Sequence, residues 1–193
     1  MTAPTDPSRE QPDPRIVLAA QGDRAAAQAL LQELLPRVRN LIRYLASGDR
    51  DVDDAAQLVL VQLVRSFHGY RGEGSLHAWA DRITVRVALS HLRKRRNQER
   101  QVRELVPDLH AVSADPEQPD EYTLRREAVR WLDALPVEQR EAVVLHHVVG
   151  LSAPELAEEL GVPFETARSR LRLGMSKLRE RAATDTHTKG GTP

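Results

Sequence analysis

The sequence predicts an all-α protein made of two small helical domains joined by a flexible acidic linker. Three observations carry that expectation. Apolar residues recur at helical spacing along most of the chain, and no stretch alternates as a half-buried strand would. Between residues 105 and 121, Pro107, Pro116 and Pro119 stand among five acids with little periodicity of either kind. A chain of 193 residues fits one large domain or two small ones, and the linker favours two.

The elements follow in order. Asp23 is placed to cap a helix whose apolar face is Leu30, Leu31, Leu34, Leu35, Val38, Leu41, Ile42 and Leu45, with Pro36 expected to kink or break it. Asp51, Asp53 and Asp54 offer caps for the next helix, with the stripe Ala56, Val59, Leu60, Leu63, Val64 and Phe67. Three glycines in residues 68–74 read as a loop, and Ser75 caps a long helix beyond it. That helix carries one stripe of Leu76, Trp79, Ile83 and Val87 and a second of Val85, Leu89 and Leu92, so it is expected inside a bundle. After Leu92 its side chains turn basic and its end is expected to leave the core. In the second domain Leu124, Ala128, Trp131, Leu132 and Leu135 form one face, Pro136 opens a new helix, and residues 142–149 fill it.

The formal net charge is zero, but the charge is segregated. Residues 91–103 carry six bases against Glu99, a balance of +5. Residues 104–122 carry six acids and no Lys or Arg, and residues 163–182 carry +4. Two basic patches flanking an acidic connector are the footprint of a polyanion partner. The absence of cysteine excludes disulfides, thiolate metal sites and a cysteine nucleophile. No apolar run approaches the ~20 residues that cross a bilayer, so membrane insertion is not expected. Residues 1–14 lack the apolar stretch of a signal peptide, so a cytoplasmic location is the expectation.

Residues 151–178 hold the most specific pattern. Ser152 and Glu155 form a capping box, Pro154 is tolerated in the first turn, and Gly161 permits a left-handed inter-helix turn. Pro163 suits the start of a second helix, and Leu156, Leu160, Val162, Ala167 and Leu171 have the spacing to pack the pair, with Ala157 small at the crossing. The opposite face of the second helix presents Glu165, Thr166, Arg168, Ser169, Arg170 and Arg172. Arg pairs bidentately with guanine edges, and Ser, Thr and Arg hold phosphates, so this helix-turn-helix suits a DNA major groove. An antiparallel helix pair with a solvated basic face is the bland alternative.

On these residues the chain resembles a known family. Residues 132–178, with Leu135-Pro136 and Arg140, Gly150-Leu151-Ser152, Glu155-Leu156-Ala157, Leu160-Gly161-Val162-Pro163 and Ala167-Arg168-Ser169-Arg170-Leu171, resemble the fourth conserved region of bacterial sigma factors. The first half is similar to their second region: Asp53-Asp54, Gln57 and Val59 look like the helix that grips the polymerase clamp. Tyr70 to Leu76, Trp79, Arg82-Ile83 and Arg93 to Arg96 are similar to the segment that meets the minus-ten promoter element. Two such regions on a short linker look like the extracytoplasmic-function group. Leu58, Val64 and Arg86 depart from the residues usual at their positions in the family.

The resemblance implies a tail over 1–13, a region 2 helical bundle over 14–103, a linker over 104–121, a region 4 helix-turn-helix domain over 122–182 and a disordered tail over 183–193. It implies core RNA polymerase and promoter DNA as partners, with an anti-sigma factor among those the family allows, and a monomer outside the polymerase complex. Asp53, Asp54, Gln57, Gln62 and Arg65 would meet polymerase. Arg71, Ser75, Trp79, Arg82, Arg86, Arg93, Lys94, Arg95 and Arg96 would meet the minus-ten element, and the six residues of the last helix the minus-thirty-five element. A stand-alone repressor or activator with the same helix-turn-helix is the main rival, and an enzyme carrying a DNA-binding module is a third reading. No nucleophile–base set, metal site or cofactor loop emerges, so neither catalysis nor a cofactor is expected. Trp79 and Trp131 also suit core anchoring, His146-His147 diverge by about 100° on a helix and make a poor metal pair, and the three Asp suit capping better than a divalent ion.

Overall fold

The computed structural model describes residues 13–46, 48, 50–72, 74–105 and 123–189. Among them there are eight α-helices and no strand: α1 (Pro14–Ala20), α2 (Arg24–Leu45), α3 (Val52–Ser66), α4 (Leu76–Leu105), α5 (Thr123–Asp133), α6 (Val137–His147), α7 (Ala153–Leu160) and α8 (Phe164–Lys189). A 3-10 turn, Phe67–Gly69, follows α3. By their contacts the described residues fall into two compact units, those of 13–42 with 51–105, and those of 43–50 with 123–189. The all-α, two-domain expectation holds.

In the first unit the α2 side chains Leu30, Leu34, Val38, Leu41 and Ile42 are buried, as are Val59 and Leu63 of α3 and Val85, Ala88 and Leu89 of α4. Asp23 Oδ1 accepts from the Ala26 N–H at 2.9 Å and so caps α2. Pro36 does not break that helix, which runs unbroken to Leu45. The long apolar face around Pro36 holds the segment helical despite the missing N–H. The spacing reading overlooked α1, although Asp13 caps it through the Arg15 N–H at 2.9 Å, Pro14 opens it and Ile16 is buried.

On α4 the buried line is Leu76, Ala80, Asp81, Thr84, Val85, Ala88, Leu89 and Leu92, while Trp79, Ile83 and Val87 are half-buried at its flank. Small Ala80 and Ala88 are fully buried on the helix that packs on α3. Asp81 tolerates burial because the Arg37 Nε and Nη2 donate to its two oxygens at 2.7 and 2.6 Å. That pairing holds the Arg37 guanidinium above its ordinary pKa. Val64, expected in the α3 core stripe, is 46% exposed. The buried side of α3 is narrower than the apolar stripe and is carried by Val52, Ala55, Ala56, Val59 and Leu63.

In the second unit α6 is the central helix, with Arg140 through Leu145 all buried. It packs against α8 and α7. Arg140 is buried by its pairing: Nε donates to the Leu132 carbonyl at 2.8 Å and Nη2 lies 3.1 Å from Asp133 Oδ1. The arginine therefore ties α6 to the end of α5. Two helix ends differ from expectation. α4 continues through Leu105, past the expected linker start at residue 104, and the rest of the linker lies outside the described residues. α8 continues to Lys189 rather than giving way to a tail at 183. Ala182 and Ala183 favour helix, and the first glycine after Gly174 is Gly190.

Candidate nucleic-acid interface

The helix-turn-helix is built as its residues dictate. The Ser152 N–H donates to Glu155 Oε2 at 2.9 Å while Ser152 Oγ accepts from the Glu155 N–H at 3.5 Å, so both halves of the capping box form. Gly161 takes the left-handed conformation, φ +66° and ψ 38°. The Val162 N–H then bonds the Ala157 carbonyl at 3.0 Å and the Gly161 N–H the Glu158 carbonyl at 3.1 Å, closing α7 and setting the direction of α8. Leu156, Leu160 and Ala167 are buried between them.

The six expected residues of α8 do not share one face. Glu165, Arg168, Ser169 and Arg172, spaced i, i+3, i+4 and i+7, line one cleft wall together. Thr166 and Arg170 are half-buried and take no part in that wall. Arg168 lies 3.2 Å from Glu165 and its guanidinium stands 5.6 Å from the Phe164 ring centre, which holds it extended along the helix start.

The sequence reading missed how α8 is seated. Gly174 is buried where α8 crosses α6: a Cβ there would come 2.7 Å from Val143 Cγ2. A glycine in the interior of a helix was the available signal. Ala157, expected at the closest crossing, is half-buried.

On the first unit, Trp79 stacks on Phe67 (centroids 6.0 Å apart, 26°) and meets Tyr70 edge-on at 5.3 Å. Tyr70 donates its hydroxyl proton to the Gly74 carbonyl at 2.8 Å, and Ser75 Oγ accepts from the Ala78 N–H at 3.2 Å. Ser75 and Trp79, both half-buried, thus shape the loop internally, and Arg71 is exposed on it. Arg82 and Arg86 are exposed on α4, and Arg93 and Arg96 fall on the same face by the helical period. Arg100 continues that line and was overlooked; it pairs with Glu104 at 3.2 Å. Arg95 instead turns toward Asp51 at 3.2 Å, and Lys94, exposed, lies to the side. Asp51 stands at the N-cap of α3 without a capping hydrogen bond, its carboxylate directed to that arginine.

Asp53, Asp54, Gln57, Gln62 and Arg65 are all exposed on α3. Asp53 pairs with Arg39, and Gln62 donates to Ser66 Oγ at 3.2 Å. Among them stand Leu58, Val61 and Val64, which are 46%, 50% and 46% exposed. These exposed apolar side chains and the polar ones lie along the same helix. Leu58 and Val61 already fall off the Val59–Leu63 line in the sequence, whereas Val64 is expected on it. No group of three or more His, Cys, Asp or Glu able to hold a metal ion occurs among the described residues. No helix among them is long and apolar enough to cross a membrane.

Two helical units of this kind, one with a cationic helix beside a loop and one with a helix-turn-helix, have the make-up of a two-part DNA-binding protein. Residues 30–98 match the family described as Sigma-70 region 2, and residues 125–178 that described as Sigma-70, region 4. The chain is 32% identical over 178 residues to the ECF RNA polymerase sigma factor SigE of Mycolicibacterium smegmatis, spanning 89% of this chain and 68% of that protein. It is 27% identical to the RNA polymerase sigma-H factor of Pseudomonas aeruginosa, over 85% of this chain and 90% of that one. Among solved structures, the sigma factor RpoE in complex with the anti-sigma factor NepR from Bartonella quintana superposes with a TM-score of 0.56 at 27% identity, covering 80% of this chain and 96% of that one. The chain belongs to the extracytoplasmic-function (ECF) RNA polymerase sigma factors. It directs promoter recognition and transcription initiation as a subunit of RNA polymerase.

Proposed function

We propose a division of that work among named faces. The exposed α3 face, Asp53, Asp54, Gln57, Gln62 and Arg65 around Leu58, Val61 and Val64, docks on the polymerase clamp. The loop at Arg71 and the α4 line of Arg82, Arg86, Arg93 and Arg96 meet the minus-ten element, with Lys94 beside them. Ser75 and Trp79 hold that loop in shape, and Arg95 braces α4 against α3 through Asp51. Glu165, Arg168, Ser169 and Arg172 face the minus-thirty-five bases, with Thr166 and Arg170 at the flank. The units that do this are the helices α1–α4, ending at Leu105, and α5–α8, ending at Lys189.

The single observation that supports the division best is the alignment of Arg82, Arg86, Arg93 and Arg96 on one face of α4, directly after the loop closed by Tyr70 and Trp79. Extruding bases costs a few kcal/mol each, and such a cationic line offsets part of it on the displaced strand. The chain supplies no catalytic group or cofactor of its own. It acts in the cytoplasm as a monomer until polymerase takes it up, and an anti-sigma factor is a further candidate partner, since its structural relative RpoE forms a complex with the anti-sigma factor NepR.

The test is open-complex formation by holoenzyme in which Arg82, Arg86 and Arg93 are Gln. Permanganate reactivity of minus-ten thymines should fall while protection of the minus-thirty-five element persists. The salt slope should drop by about one unit per lost phosphate contact. Normal opening with an unchanged slope would remove α4 from the minus-ten contact.

A further inference from the structure

The wall that Glu165, Arg168, Ser169 and Arg172 form continues beyond the helix-turn-helix proper. Met175 and Arg179 follow on α8, and opposite them stand His146 and His147 at the end of α6. Together these side chains bound a cleft of about 660 Å³, with Ala153 at the start of α7 on its rim. Its charge is one-sided. Glu165 is the acid in the wall and is paired with Arg168 at 3.2 Å, which leaves Arg172 and Arg179 to set the sign of the rest.

The two histidines are held differently. His146 Nδ1 lies 2.7 Å from the Leu151 carbonyl, which can only accept, so that nitrogen carries the proton. The ring is thereby fixed across the turn into α7. His147 meets it edge-on, centroids 4.7 Å apart, and is itself exposed. Burial of the His147 ring on its inner side, then the nearby His146 and Arg179, hold its pKa below the ordinary 6.5. The titratable and charged groups that line the cleft with it are His146 on its own helix and Glu165, Arg168, Arg172 and Arg179 on α8, of which His146 and Arg179 act on it most directly; α7 contributes only Ala153 to the wall. An anion in the cleft reverses this balance, since it neutralises the arginines and favours the imidazolium.

We propose that this cleft is a phosphate site for the promoter backbone, in which Arg179 and His147 hold a phosphate beside the groove-facing side of α8 and His147 takes up a proton on binding. The inference rests on the reading of α8 as the minus-thirty-five helix and adds to it a contact outside the helix-turn-helix and a pH dependence. By linkage, DNA affinity rises as pH falls through the window between the free and the bound pKa of His147. The bound value is the higher one, so binding is weakest above it. A proton taken up changes affinity by at most tenfold per pH unit, so a gain of about three- to tenfold between pH ~7.5 and ~5.5 is expected.

The experiment is equilibrium binding of holoenzyme to a promoter fragment recovered by selection, across that pH range at fixed ionic strength. Wild type, His147→Gln, Arg179→Gln and Arg168→Ala are compared. His147→Gln should flatten the pH dependence. Arg179→Gln should lower the salt slope by about one unit and shift the pH midpoint upward, because one of the positive charges acting on His147 is gone; a merely structural role predicts no such shift. Equal pH dependence in wild type and His147→Gln, with Arg168→Ala still altering the minus-thirty-five preference, overturns the phosphate site and leaves the α8 reading standing. Loss of every α8 effect overturns both. If inorganic phosphate moves the His147 ring resonances and the promoter duplex does not, the cleft is a small-anion site and the backbone assignment fails.

Discussion

Gly174→Ala should destabilise the second unit, although the same exchange in an unencumbered helix stabilises it. Glycine in a helix interior costs about 1 kcal/mol relative to alanine. Here the added Cβ would sit 2.7 Å from Val143 Cγ2, 3.2 Å from the Gln139 carbonyl oxygen and 3.4 Å from Gln139 Cβ. Val143 is 5% exposed and β-branched, so it has no alternative rotamer to retreat to. The Gln139 oxygen is backbone of the same packed helix. Overpacking of this kind costs about 1–3 kcal/mol, so the net effect is a loss of about 0–2 kcal/mol. For a unit of this size each kcal/mol lowers Tm by about 4–8 °C.

Thermal unfolding, with hydrogen exchange of the α6 and α8 amides to report on this unit alone, measures the change. Val143→Ala removes the nearest atom, and in that background Gly174→Ala should recover the helix-propensity gain. The cycle should therefore show a coupling of about 1–3 kcal/mol. A gain of about 1 kcal/mol from Gly174→Ala alone, additive with Val143→Ala, would refute the close crossing.

Three further outcomes follow from the same geometry. Ser152→Ala removes the oxygen that caps α7 and should cost about 1 kcal/mol of stability by the same exchange measurement. Arg168→Ala should relax one minus-thirty-five position at a cost of about 1–3 kcal/mol, while Arg170→Ala, half-buried and off the cleft wall, should leave promoter preference intact; sequencing of selected promoters reads both. Asp81→Ala leaves Arg37 without its buried partner, and because that arginine is half exposed the loss should be about 1–2 kcal/mol in denaturant unfolding of the first unit.

Much of this was legible in the residues, and for identifiable reasons. The capping box and Gly161 are local chemistry, so the helix-turn-helix could be read without knowing what it packs on. The α2 face survived Pro36 because eight apolar residues outweigh one missing donor. What was not legible depends on partners far away in the chain. Val64 and Leu63 are equally apolar, and only the direction from which α4 approaches α3 buries one and exposes the other. Asp81 reads as a surface acid until Arg37, 44 residues earlier, is seen to reach it. Arg95 sits in a run of four bases, and its neighbour Asp51 lies on another helix start, so sequence order alone could not separate it from Arg93 and Arg96. The sequence pattern puts the six α8 residues on one face, whereas the helical period divides them into four that share the cleft and two that do not.

Run-off transcription with purified components tests the central claim most directly. Core RNA polymerase plus this chain alone should yield a discrete transcript from a selected promoter. The free chain should bind the same DNA only weakly, because its two DNA-facing units gain effective concentration once polymerase fixes their spacing. Tight promoter binding by the free chain, with no transcript on adding core polymerase, would contradict the account.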